Sequence, residues 1–175
     1  VGATGAGKST LVKLLLRINE VTAGTISYSG TDIRSLSQQT IRKVISYVPQ
    51  KAFLFSGTIL SNLLMGNAKA TTEEIRTALE ISQSSEFIDS LPQGIESFVA
   101  QGGSNYSGGQ KQRMCIARAL IKPADVYIFD DSFSALDYKT DAALRAALHA
   151  QMSDKTLLIV AQRLSTIMNA DNIIV

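Results

Sequence analysis

Apolar residues recur along this chain in short blocks, and the spacing within each block predicts its element. Thr10–Ile18 follows a glycine-rich opening and reads as an apolar helix, whereas Gly24–Tyr28 alternates and then meets the turn signal Ser29-Gly30. Val44–Val48 is a continuous apolar run ended by Pro49, the pattern of a buried strand. From about Ile59 to Leu91 the period is helical, with Thr71-Thr72-Glu73-Glu74 as a capped helix start. The Gly-, Ser- and Asn-rich stretch Gln101–Asn105 predicts a loop before a helix over Gly108–Leu120. Val126–Phe129 reads as a strand, Ser132–Asp137 as a loop, Asp141–Met152 as an Ala/Leu-rich helix and Thr156–Val160 as another buried strand.

Strands that alternate with helices argue for an α/β fold with a parallel sheet. The helical middle interrupts the alternation and reads as an insertion. The expected division is a core over 1–58 and 121–175 with a helical subdomain over 59–120. Val1 is all that could remain of a strand before the glycine-rich opening, and Asn172–Val175 reads as a strand cut short, so both ends are expected to be fragment boundaries.

Composition narrows the picture only a little. Lys+Arg 17 against Asp+Glu 15 leaves a formal charge of +2, too balanced to argue for nucleic acid, and none is expected as a partner. The single cysteine, Cys115, excludes an internal disulfide and reads as a small core residue in a reducing compartment. No apolar run approaches the roughly 18 residues that span a bilayer. Any role at a membrane must pass through a partner or another segment.

The first chemistry lies in Gly2-Ala3-Thr4-Gly5-Ala6-Gly7-Lys8-Ser9-Thr10, which fits the phosphate-loop pattern G-x-x-x-x-G-K-[ST]. Glycines let consecutive backbone N–H groups turn inward onto phosphate oxygens, and the following helix offers its positive end to the same anion. Lys8 would reach the β- and γ-phosphates and Ser9 would ligate Mg²⁺. Val126–Asp131 (VYIFDD) supplies a partner: a buried strand ending in Asp130, a carboxylate at the sheet edge able to hold the metal. Together the two motifs indicate a nucleotide-binding P-loop protein.

Asn105-Tyr106-Ser107-Gly108-Gly109-Gln110-Lys111-Gln112-Arg113 narrows the class, because it resembles the LSGGQ signature of ABC ATPases, with Tyr106 in the Leu position. Tyr47-Val48-Pro49-Gln50 is similar to that family's Q-loop and Ser134-Ala135-Leu136-Asp137 to its D-loop. Gln50 through Ile59, and Val99–Gly103, resemble the exporter branch. The resemblance covers essentially the whole chain. It implies a RecA-like P-loop core with an inserted helical subdomain, ATP and Mg²⁺ as ligands, and a place on the cytoplasmic face of a membrane beside transmembrane domains. It also implies a second cassette as partner. Ser107, Gly108, Gly109 and Gln110 would face the nucleotide held by that partner, and Gln50 would sense Mg²⁺ and the attacking water. Phe53, Leu54 and Phe55 would be core or would dock a membrane-domain helix.

Two departures from the family pattern bear on hydrolysis. Asp131 stands where efficient members have Glu as base, and Gln162, in Ala161–Thr166, stands where they have the switch histidine. Aspartate is one methylene shorter, and an acid/base group in good geometry contributes about 10²- to 10⁴-fold. Glutamine donates a hydrogen bond but carries no proton or charge. The only histidine, His149, lies in the Asp141–Met152 helix and is expected to be solvated filler. The pair Asp131 and Gln162 resembles the degenerate protomer of a heterodimeric exporter. The rival readings are a fully active homodimeric exporter and a soluble ABC ATPase of DNA repair or translation. The stretch from Gln50 to Ser107 is too short for a long coiled-coil arm. Lys111 and Arg113 read as a solvated helix face.

Overall fold

The computed structural model describes residues 1–3, 5–162 and 167–175. Thr4 and Arg163–Thr166, which belong to the expected phosphate and switch loops, lie outside the described residues. The first helix, α1 (Lys8–Leu15), starts earlier than the apolar pattern suggested and stops short of Ile18. Arg17 explains the stop. It adopts a left-handed φ of 49°, and the N–H groups of Arg17 and Ile18 return to Leu14 O and Lys13 O, closing a Schellman end.

The hairpin β1 (Ser27–Tyr28) and β2 (Thr31–Asp32) turns through Ser29 and Gly30, both at positive φ, as a two-residue hairpin loop requires. α2 (Gln38–Val44), capped by Ser37 onto Thr40 N–H, leads into β3 (Ile45–Val48). The predicted helical stretch 59–91 is three helices: α3 (Ile59–Leu64), α4 (Thr72–Ile81) and α5 (Ser85–Asp89). α4 has the expected capping box between Thr71 and Glu74. It ends in a second Schellman turn at Gln83, φ 59°. A two-stranded ribbon joins β4 (Gly57–Thr58) to β5 (Phe98–Val99), and the expected loop 101–105 contains a 3₁₀ turn. α6 (Gly108–Ile121), β6 (Val126–Asp130), α7 (Tyr138–Gln151) and β7 (Thr156–Val160) complete the order. Asn172–Val175 is not a strand here; Ile174 O instead accepts from the Val1 amino group at 2.6 Å.

β3, β6 and β7 form a parallel sheet in that order, with Ile45 opposite Val126 and Val126 opposite Thr156. Period-two alternation gives the sheet two cores. Val48, Tyr127 and Phe129 face the larger one, built with α3, α4, α6 and α7 around Leu63, Met114, Ile116 and Leu144. Ile45, Tyr47, Val126, Ile128, Leu158 and Val160 face the smaller one, with Val12 of α1 and Ile41 of α2. The parity of β6 therefore aims Asp130 toward α1 and the glycine loop. No described helix is long and apolar enough to cross a membrane.

Candidate nucleotide site

Gly5 and Gly7 both lie at φ 86°, in the left-handed region where a side chain would be strained. These two positions let the loop fold over the start of α1, with Ala6 N–H closing onto Ala3 O at 3.2 Å. Gly2 and Lys8 are half-buried, whereas Ala3, Ala6 and Thr10 are exposed. The Lys8 ammonium rests inside the loop, donating to Gly2 O at 2.6 Å and Ala3 O at 2.7 Å. A cation and a helix N-terminus thus converge where an anion would sit.

One residue further on, Ser9 Oγ donates to Asp130 Oδ1 at 3.1 Å, joining α1 to the end of β6. Asp130 is 3% exposed, and its Oδ2 accepts from Tyr47 Oη at 3.3 Å. Burial and the neighbouring Asp130 charge push the Tyr47 phenol up to about 12, so it remains a proton donor. A hydroxyl and a carboxylate oxygen suit Mg²⁺, a hard cation that takes few protein ligands and leaves positions for phosphate and water. Among the described residues no group of three or more His, Cys, Asp or Glu is placed to hold a metal ion.

Asp131 begins the loop after β6 at φ 49°, held by its N–H bond to Val160 O at the end of β7. Its Oδ2 accepts from Gln50 Nε2 and Gln162 Nε2, each at 3.0 Å. The three residues read as hydrolytic from the sequence are thereby brought together, with neutral amides as the carboxylate's partners. Gln112 of α6, buried, reaches Pro49 O at 3.4 Å and ties that helix to the segment carrying Gln50.

Ser107–Gln110 form a separate feature. Ser107 caps α6 in a reciprocal box: Gln110 N–H donates to Ser107 Oγ at 3.2 Å and Ser107 N–H to Gln110 Oε1 at 2.9 Å. Ser107 and Gly108 are exposed, and a Cβ on Gly108 would meet nothing. Gly109 lies against Ala135 O of the following loop. These groups point at no atom of the Lys8–Asp130 cluster among the described contacts.

Cys115 is buried, with its thiol against Phe53 O, and desolvation pushes it up. His149 is exposed at the end of α7. Arg113, expected on a solvated face, is instead half-buried over the Phe87 ring and bonded to Gln83 O, because α6 packs closely on α4. Tyr47 lies within the Tyr47–Gln50 motif, whose resemblance assigns a role to Gln50 alone. Parity could have found it, since it sits opposite Ile128, two residues before Asp130 and on the same sheet face.

Residues 1–134 match the family described as ABC transporter. The chain belongs to the ABC transporter family. It is 44% identical to an ATP-dependent lipid A-core flippase of Methylococcus capsulatus over 176 residues, covering all of this chain and 29% of that protein. It is 41% identical to ABC transporter B family member 21 of Arabidopsis thaliana, covering all of this chain and 14% of that protein. A bacterial Atm1-family ABC exporter, solved with ATP bound, superposes with a TM-score of 0.93 at 38% identity, over 97% of this chain and 30% of that one. The chain thus spans less than a third of these relatives. The ABC cassette fold, a P-loop core with its helical insertion, is the fold described above.

Proposed function

We propose that this ABC cassette is the ATP-binding, cytoplasmic part of an exporter, and that its own nucleotide site hydrolyses ATP slowly while its signature completes the site of a non-identical partner. Support for the exporter comes from relatives named as flippase and exporter. Phe53 and Phe55, half-exposed and packed edge to face at 5.1 Å, would offer the membrane domains an apolar contact.

In this reading Lys8 and the loop N–H groups orient the phosphates, and Ser9 and Asp130 hold Mg²⁺. The ion, when bound, neutralises charge on the β- and γ-phosphates. Asp131 would accept the proton of the attacking water, with Gln50 and Gln162 fixing its carboxylate. This reading is carried by the pair of hydrogen bonds that the Gln50 and Gln162 amides donate to Asp131 Oδ2. They orient the carboxylate, but no imidazole is there to shuttle a proton or carry charge.

The test is Asp131→Glu with Gln162→His in the full-length protein, its partner's phosphate-loop lysine removed so that only this site turns over. Hydrolysis is expected to rise about 10²-fold. An unchanged rate would reject slow chemistry at Asp131 and Gln162 as the limit.

A further inference from the structure

The side chain of Asp130 has two oxygens, and the structure gives each a different donor. Oδ1 receives the Ser9 hydroxyl and Oδ2 the Tyr47 phenol. Because χ2 of an aspartate is a broad, roughly two-fold torsion, a carboxylate bonded on one side only can turn. Bonded on both sides, it is held.

We propose that Tyr47 is a positioning residue: its hydroxyl fixes Asp130 Oδ2 and so keeps Oδ1 turned toward Ser9, in the orientation that receives the divalent cation. The inference rests on Ser9 and Asp130 being the cation's protein ligands.

Backbone geometry makes the contact a built one. Tyr47 and Ile128 are register partners in parallel strands, so the Tyr47 side chain rises on the same face as Asp130, two residues further along β6. Its ring packs against the smaller core with Ile45, Ile128 and Val12, which anchors the phenol and leaves only its hydroxyl at the polar end. A shorter side chain at 47 would fill less of that core and reach no carboxylate. Phenylalanine would keep the packing and lose only the bond. Asp130 is nearly fully buried, so a lost donor is not replaced at no cost by bulk water.

The experiment measures how strongly Mg²⁺ and nucleotide assist each other in binding, a coupling that does not depend on turnover. The full-length protein is titrated with a non-hydrolysable ATP analogue, once with Mg²⁺ and once with EDTA, and the ratio of the two Kd values is taken. Tyr47→Phe is expected to leave the EDTA value within about twofold and to shrink the Mg²⁺ advantage about 10- to 100-fold, the range for a lost hydrogen bond to a charged group. A merely structural role would weaken both values together or neither, and either result overturns the proposal. Asp130→Asn is run alongside and is expected to remove most of the Mg²⁺ advantage. If it does so while Tyr47→Phe behaves as wild type, the Tyr47 inference falls and the Asp130 assignment stands. If Asp130→Asn leaves the advantage intact, the metal reading itself is wrong.

Discussion

Asp131 occupies a left-handed backbone position, φ 49°, directly after β6. Asn and Asp enter that region several-fold more readily than other non-glycine residues. Aspartate, which on the proposed reading shortens the reach to water, is therefore a side chain that this backbone accepts more readily than glutamate. Asp131→Glu, which should speed hydrolysis, is expected to lower stability by about 1 kcal/mol, read as a fall in the domain's melting temperature. A variant as stable as wild type would show that the turn carries no strain. Cys115 offers a second check at this scale. Desolvation raises its thiol, so at pH 8 less of it is thiolate than of a free cysteine, and the side chain is 2% exposed. Native protein should resist alkylation at Cys115 and become reactive only on denaturation, as read by peptide mass spectrometry. At this scale the sequence was partly legible: Lys8, Ser9 and Asp130 follow from motif chemistry, whereas the amides that orient Asp131 come from two distant segments, at Gln50 and Gln162, and need the fold.

Among the elements, those whose boundaries are set by local chemistry were readable. Thr71 and Glu74 close their capping box within four residues, and Thr156–Val160 is bounded by its own polarity change. α2 was not anticipated, because Gln38–Val44 offers only Ile41 and Val44 to an apolar face and depends on packing beside β3. α7 begins three residues earlier than its apolar stripe, since Asp137 caps it through Thr140. The break after α3 is a matter of tertiary contact. A Cβ on Gly66 would stand 2.1 Å from Arg118 O, a backbone atom of α6 that cannot step aside. Gly66→Ala is expected to cost about 3 kcal/mol by forcing α3 away from α6, measurable as a lower melting temperature. Unaltered stability would mean that the two helices are loosely held there.

For the whole molecule, the phosphate loop and the signature are separate surfaces of one chain, and substitutions in them should fail differently. Gly108 is exposed at the N-terminus of α6, so Gly108→Asp brings a carboxylate to the proposed anion site without disturbing any core. If the signature serves a partner's nucleotide as proposed, this change is expected to abolish most steady-state ATPase activity of the assembled transporter by opposing closure there. On the proposed reading Asp131→Asn should reduce the rate much less, since it would remove a base from a site that already turns over slowly. The pair of rates at saturating Mg·ATP decides: equal damage would favour two equivalent sites in a homodimer.

The two-faced sheet has a further consequence, for which changes of chain length this cassette can survive. Along β6, Val126, Ile128 and Asp130 face one core while Tyr127 and Phe129 face the other. Deleting a single residue there would exchange the faces, presenting the Phe129 ring to the Lys8 loop and driving the Asp130 carboxylate in among Met114 and Leu144. The surface segment between α1 and β1 carries no such parity. Insertions and deletions should accumulate there in functional variants, while β6 keeps its length even where its apolar residues are exchanged for one another.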